Sequence, residues 1–158
     1  MTIFILRHGQ AEPQVTTDEV RRLTDKGHTD TVNVVQGRHA DMVPLAQIWA
    51  SPLMRAQQTA EIAASYFPDV SIQTTDLLIP EADPQALLNW LDGLRGQQLT
   101  DPDLSILLVS HQPLVGRVVS MLCGKPDDYY PMGTSSLAAI DTQIIAAGVG
   151  DLLWLDHA

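Results

Sequence analysis

Short apolar runs alternate along the chain with segments of helical periodicity, and this alternation constrains the fold more than any other feature. Residues 2–7, 46–50 and 104–109 are apolar without a helical repeat, which is typical of strands buried on both faces. Two further strands are predicted at 136–141 and 152–155. The alternation predicts an α/β fold, a three-layer α/β/α sandwich with a largely parallel central sheet.

Capping residues mark the helix starts between these strands. Apolar residues then recur at steps of three and four, as on helices that pack against a sheet. The expected starts are Thr24, Ser51 with Pro52, Asp83 with Pro84, and Pro113. The second of these helices is expected to run through Tyr66, and a weaker strand is predicted at 70–74.

Length, charge and cysteine content narrow the class of protein. A chain of 158 residues fits one core of ordinary size, so residues 1–158 are expected to form a single domain. The net charge of -10 disfavours nucleic acid and anionic membranes as partners. No apolar run approaches the roughly 20 residues that span a bilayer. The lone Cys123 cannot form an intramolecular disulfide, which fits the reducing cytoplasm.

Polar residues follow three of the predicted strands, where an α/β sheet binds its ligands. They are Arg7, His8 and Gly9 after the first strand, Ser51, Pro52 and Arg55 after the second, and His111 after the strand at 104–109. Guanidinium groups bind phosphate oxygens, and a neutral imidazole is a competent nucleophile. Two Arg and two His converging on one crevice therefore predict a phosphate pocket.

Three segments carry a resemblance to a known family. In chain order, FILRHG, SPLMRAQQTAE and LLVSHQP resemble the three signatures of the histidine phosphatase superfamily, whose fold is phosphoglycerate mutase-like. The shortness of the chain and the segments RRLTDKG and SHQPLVG most resemble the SixA-type phosphohistidine phosphatases. The likeness extends over nearly the whole chain.

The resemblance implies a role for each polar residue. His8 corresponds to the nucleophile that takes the phosphoryl group, and Arg7 and Arg55 correspond to phosphate ligands. His111 matches the second histidine, which contacts the transferring oxygens, and Arg21 is expected to border the pocket. The resemblance implies a metal-independent reaction without a cofactor.

Attack on phosphorus sets conditions on His8. The ring must be neutral, with its second nitrogen held as a donor by a backbone carbonyl in the following turn. Gly9 suits a tight turn there. Arg7, Arg55 and His111 would then offset charge on the phosphoryl oxygens.

The sequence leaves open which carboxylate, if any, protonates the leaving group as a general acid. Glu81 is the best-placed candidate, with Asp83 and Glu12 behind it, although Asp83 also fits a helix cap. The short relatives lack the acid pattern of the larger members. A departing imidazole, whose conjugate acid has a pKa of about 6.5, needs little protonation. The missing acid pattern therefore favours cleavage of P–N over P–O bonds, and the resemblance implies hydrolysis of phosphohistidine on a protein such as a histidine-containing phosphotransfer domain. Alternatives are a small-molecule phosphomonoesterase acting on a sugar phosphate or nucleotide, and a phosphate-binding module without turnover.

Overall fold

A single six-stranded sheet lies at the centre of the computed structural model, which describes residues 1–158. The strands are β1 (Thr2–Arg7), β2 (Leu45–Ala50), β3 (Ile72–Thr74), β4 (Ser105–Ser110), β5 (Leu137–Asp141) and β6 (Asp151–Asp156). Their order in the sheet is β3-β2-β4-β1-β5-β6. The first four strands in this order are mutually parallel, whereas β5 is antiparallel to both of its neighbours. The sheet is thus mixed, with a parallel half that contains β1, β2 and β4.

Four α-helices connect the strands. They are α1 (Asp25–Arg38), α2 (Met54–Ala64), α3 (Pro84–Gln98) and α4 (Leu114–Leu122). Short 3₁₀ helices lie at Asp18–Val20, His39–Met42 and Asp76–Leu78. Two predicted caps are confirmed, because the Thr24 side chain accepts a hydrogen bond from the Gly27 amide and the Asp83 side chain accepts one from the Gln85 amide.

Apolar side chains cover both faces of the sheet. Along β1, Ile3 and Ile5 pack with α3 and α4, whereas Phe4 and Leu6 pack with α1 and α2. Successive residues of a strand point to opposite faces, so this run of apolar residues serves two cores. The predicted three-layer α/β/α sandwich is confirmed.

The second helix differs from its prediction at both ends. It begins at Met54, with Leu53 as its N-cap, and it ends at Ala64 instead of continuing through Tyr66. The predicted capping role of Ser51 is therefore wrong. Its side chain points instead towards the end of β4, as described below. No helix of the protein is long and apolar enough to cross a membrane.

Candidate active site

Three adjacent strands bring the predicted residues to one edge of the sheet. Because β2, β4 and β1 are parallel neighbours, the residues that follow them meet. The His8 amide donates to the Ser110 carbonyl at 2.9 Å, and the Ser51 amide donates to the Val109 carbonyl at 3.0 Å, which extends the ladder beyond the strand ends. The ring centroids of His8 and His111 lie 5.0 Å apart.

The orientation of His8 is set by its own turn. The side chain is buried, and Nδ1 lies 2.7 Å from the carbonyl oxygen of Gly9. A carbonyl can only accept, so Nδ1 carries a proton and Nε2 is the unprotonated nitrogen of the neutral ring. This is the acceptor expected from the sequence. Nε2 accepts a long hydrogen bond of 3.4 Å from Nε of Arg55, within the site.

Gly9 is required by a close approach between two segments. Its backbone does not have a positive φ, so the turn does not depend on the left-handed conformation that favours glycine. A Cβ at this position would lie 2.6 Å from the carbonyl oxygen of Gly27 on α1. The Gly9 amide donates to Oγ1 of Thr59 on α2 at 3.1 Å. Because Gly9 has no side chain, the His8 turn can pack closely between α1 and α2.

A loop from Met132 to Ser136 holds the other side of the Arg7-His8 turn. Nη1 of Arg7 donates to the Met132 carbonyl at 2.8 Å, and the Ser135 amide donates to the His8 carbonyl at 3.1 Å. Ser135 has a φ of 58°, an uncommon conformation for a residue with a side chain. Nε of Arg7 is buried without a protein partner. The loop thus occupies Nη1 of Arg7, whereas Nε has no acceptor in the protein.

His111 is buried at 1% exposure, more deeply than His8 and Arg55. Its Nε2 lies 2.7 Å from Oγ of Ser51, which is itself fully buried. Its Nδ1 is buried and has no protein partner. The sequence predicted that Ser51 would lie near the site but did not predict this contact.

Arg55 contacts an aspartate that the sequence did not single out. Nη1 of Arg55 donates to the backbone carbonyl of Asp18 at 2.8 Å, and Nη2 donates to its Oδ2 at 3.0 Å. Oδ1 of the same carboxylate accepts from Nη1 of Arg21 at 3.0 Å. Arg21 therefore reaches the site through Asp18. The only sequence signal was the three-residue spacing between Asp18 and Arg21, which permits an ion pair.

The electrostatics of the site favour neutral imidazoles. Burial lowers the pKa of His8 to about 4, and the nearby charges of Arg55, Arg7 and Arg21 add to this effect, against the Gly9 hydrogen bond. Burial, and then His8 and Arg55, lower the pKa of His111 to about 3. Both rings are therefore neutral at pH 7.

The pKa of His8 can be measured by titrating its ring resonances by NMR. The folded protein is expected to show a midpoint near 4, against about 6.5 for the ordinary histidine value in the urea-unfolded chain. Between these two values the unfolded chain binds the proton more strongly, so His8 makes the fold less stable as the pH falls through this range. A folded-state midpoint near 6.5 would contradict the burial argument.

Asp18 remains ionised beside the two arginines. Hydrogen bonds from Arg21 and Arg55, together with their charges, lower its pKa. Its carboxylate thus occupies donors on Arg55 that an anionic ligand could use. Asp18→Asn is expected to tighten the binding of inorganic phosphate roughly threefold to tenfold, because one competing negative charge is removed at similar shape.

Isothermal titration calorimetry with phosphate measures this effect. Asp41→Asn is a matched control, since Asp41 pairs with Arg38 and precedes β2, at the opposite edge of the sheet. Weaker phosphate binding by Asp18→Asn would mean that Asp18 mainly positions Arg55.

The carboxylates predicted as possible acids lie differently. Glu81 is exposed in a turn before α3 and makes no hydrogen bond or ion pair with the protein. Asp83 caps α3, as predicted, and Glu12 is exposed. The structure thus brings Asp18 to the site and gives Glu81 no contact there. No group of three His, Cys, Asp or Glu side chains is placed to hold a metal ion.

Comparison with known proteins agrees with this geometry. Residues 3–80 match the model of the histidine phosphatase superfamily (branch 1). The chain is 31% identical to the phosphohistidine phosphatase SixA homolog of Haemophilus influenzae, over 87% of each protein. It is 29% identical to phosphohistidine phosphatase SixA of Escherichia coli, over 98% of this chain and 92% of that protein.

A solved structure shares the whole architecture. The protein histidine phosphatase SixA, complexed with tungstate, superposes with a TM-score of 0.84 at 29% identity, over 99% of this chain and 97% of that one. The relatives and the match of fold support the same assignment as the three strand-end motifs. The chain therefore belongs to the histidine phosphatase superfamily, among its SixA-type members.

Proposed function

We propose that this protein is a phosphohistidine phosphatase that acts through a phosphohistidine intermediate on His8. One observation carries the proposal. The Gly9 carbonyl holds Nδ1 of His8 as a donor at 2.7 Å, so Nε2 is the unprotonated nitrogen, and in the absence of substrate it accepts a long hydrogen bond of 3.4 Å from Nε of Arg55. Nε2 attacks phosphorus, the bond to the leaving group breaks, and water then hydrolyses phospho-His8.

The surrounding donors offset the charge that develops on phosphorus oxygens. Arg7 and Arg55 are proposed as phosphate ligands, and His111 as a neutral donor to a transferring oxygen. Arg21 is proposed to act indirectly, because it forms an ion pair with Asp18, which in turn binds Arg55. A phosphoryl group on Nε2 would replace the present contact between His8 and Arg55 with contacts to its own oxygens.

The proposed substrate is phosphohistidine on a protein, for which the names of the relatives provide support. The local chemistry agrees with this choice. Asp18 is the carboxylate beside the site, and its two arginine partners lower its pKa, which makes it a poor proton donor at neutral pH. An imidazole leaves with little protonation, whereas an alkoxide requires an acid. The site thus favours P–N over P–O cleavage.

The proposal extends to the setting of the enzyme. Residues 1–158 would form one histidine phosphatase domain that acts in the cytoplasm without a cofactor. The single cysteine, Cys123, is partly buried and fits a reducing compartment.

Parallel rate measurements test the substrate class. The protein is expected to release phosphate from a phosphorylated histidine-containing phosphotransfer domain with a kcat/KM roughly 10²-fold or more above that for a sugar phosphate or a nucleotide, the scale of general acid assistance. Faster hydrolysis of either ester would make the protein a small-molecule phosphomonoesterase. Phosphate binding without any turnover would make it a binding module.

Glu81→Gln tests whether an external acid takes part. Because Glu81 is exposed and unpaired, the substitution is expected to change phosphohistidine hydrolysis by less than roughly threefold, well below the scale of general acid catalysis. Glu61→Gln, at an exposed position on α2, is the matched control. A loss of roughly 10²-fold on both phosphohistidine and an alkyl phosphate would identify Glu81 as an essential proton donor and favour the phosphomonoesterase.

A further inference from the structure

A buried hydroxyl lies directly behind the second histidine of the site. Ser51 follows β2, and its amide donates to the Val109 carbonyl of β4, which places it firmly beside His111. Oγ of Ser51 lies 2.7 Å from Nε2 of His111. Ser51 is 0% exposed and His111 is 1% exposed. The contact is therefore shielded from solvent on both sides.

The proton in this contact can be located by counting donors and acceptors. Oγ of Ser51 already accepts from the Leu53 amide at 3.3 Å. The Ser51 hydroxyl proton has one acceptor within reach, Nε2 of His111. With the proton on Nε2, the buried hydroxyl proton and the Nδ1 lone pair would both lack a protein partner, whereas with the proton on Nδ1 only that N–H lacks one, and each unpaired buried group is costly. Ser51 therefore donates to Nε2.

This assignment places the imidazole proton on the other ring nitrogen. A neutral histidine that accepts at Nε2 donates at Nδ1. Nδ1 of His111 is buried and has no protein partner. It belongs to a ring that lies 5.0 Å from the His8 ring and that is close enough to Arg55 and Arg7 for their positive charges to act on it. An N–H without a partner in such a site suits a phosphoryl oxygen.

The opposite tautomer would present the wrong group. With the proton on Nε2, the Nδ1 lone pair would face the negatively charged phosphoryl oxygens and repel them. The hydroxyl of Ser51 is not needed to cap α2, because Leu53 is the N-cap and that helix has no side-chain cap. The hydroxyl can therefore serve the site through its hydrogen bond to His111.

We propose that Ser51 is a positioning residue that holds His111 in the Nδ1–H tautomer, so that Nδ1–H donates to a phosphoryl oxygen during transfer. The inference about the tautomer concerns the ligand-free protein, and its use in phosphoryl transfer rests on the proposed function. No proton changes place in this step. Ser51 keeps its hydroxyl proton, His111 stays neutral, and one hydrogen bond to the substrate forms.

The tautomer can be read in the wild-type protein without any turnover. Long-range nitrogen–proton correlation spectra of protein labelled with ¹⁵N-histidine distinguish protonated from unprotonated ring nitrogens, and His111→Gln assigns the signals. We expect a protonated Nδ1 and an unprotonated Nε2. The reverse pattern in the wild type would overturn the inference, whatever the protein's activity proves to be.

Variants of Ser51 connect the tautomer with the rate. Ser51→Ala is expected to move the His111 proton partly to Nε2. It should lower kcat for phosphohistidine about tenfold or more, which is part of the roughly 10²-fold loss expected when a donor to the transition state is removed altogether. Ser51→Thr keeps the hydroxyl and should retain the tautomer. Ser105→Ala is the matched control, because Ser105 is also a buried serine but bonds to backbone carbonyls at the far end of β4.

A double variant separates positioning from general packing. If Ser51 acts through His111, adding Ser51→Ala to His111→Ala should cause almost no further loss of kcat. A full additional tenfold loss would overturn the proposed role. Should wild-type protein show the predicted tautomer but no phosphohistidine hydrolysis, the proposed function fails while the assignment of the tautomer stands.

Discussion

His8→Ala is expected to lower phosphohistidine hydrolysis by roughly 10⁴-fold or more, the scale on which enzymes lose activity with their nucleophile. The physical reason is that Nε2 of His8 is the unprotonated ring nitrogen beside Arg55 and is the proposed attacking atom. The measurement is single-turnover release of phosphate from a phosphorylated phosphotransfer domain.

The His8→Ala variant should still fold and bind inorganic phosphate. The electrostatic donors of Arg7, Arg55 and His111 remain, so the phosphate Kd is expected to stay within roughly tenfold of wild type. Calorimetry and circular dichroism provide these controls. Retention of more than a small fraction of activity by a folded variant would rule out a covalent mechanism on this residue.

His111→Ala is the second large expected effect. It removes a buried donor from the phosphoryl site, which should lower kcat by roughly 10²-fold with a smaller change in KM, because the donor acts most strongly on the charge of the transition state. His28→Ala, an exposed position on α1, is the matched control and should leave kcat unchanged. A nearly wild-type kcat for His111→Ala would reduce that histidine to a structural residue.

The sequence was most informative where structure follows from local patterns. Apolar runs without helical period located β1, β2 and β4, and the carboxyl-end rule then placed His8 and His111 at one edge. The carbonyl acceptor for Nδ1 of His8 was also predictable, because it lies in the adjacent residue. These features depend on neighbours in the chain or on the parallel order of strands.

Contacts between distant segments were not predictable from one sequence. Asp18 begins a short 3₁₀ helix in a stretch whose sequence shows no periodicity, and only the folded chain brings it to Arg55, 37 residues later. Ser51 was interpreted as a helix cap because Ser-Pro commonly starts a helix, yet its hydroxyl reaches His111, 60 residues later. In both cases the local pattern allowed several partners, and tertiary packing selected one.

The most direct test of the central claim is to trap phosphate on His8. Wild-type protein is mixed with a phosphohistidine-bearing phosphotransfer domain, quenched within one turnover in alkaline conditions that preserve phosphohistidine, digested and analysed by mass spectrometry. The account predicts one phosphoryl group on the peptide that contains His8, localised to that ring by fragmentation and absent from the His8→Ala variant. Turnover with no phosphate on His8 during repeated early quenches, or phosphate on another residue of the site, would contradict it.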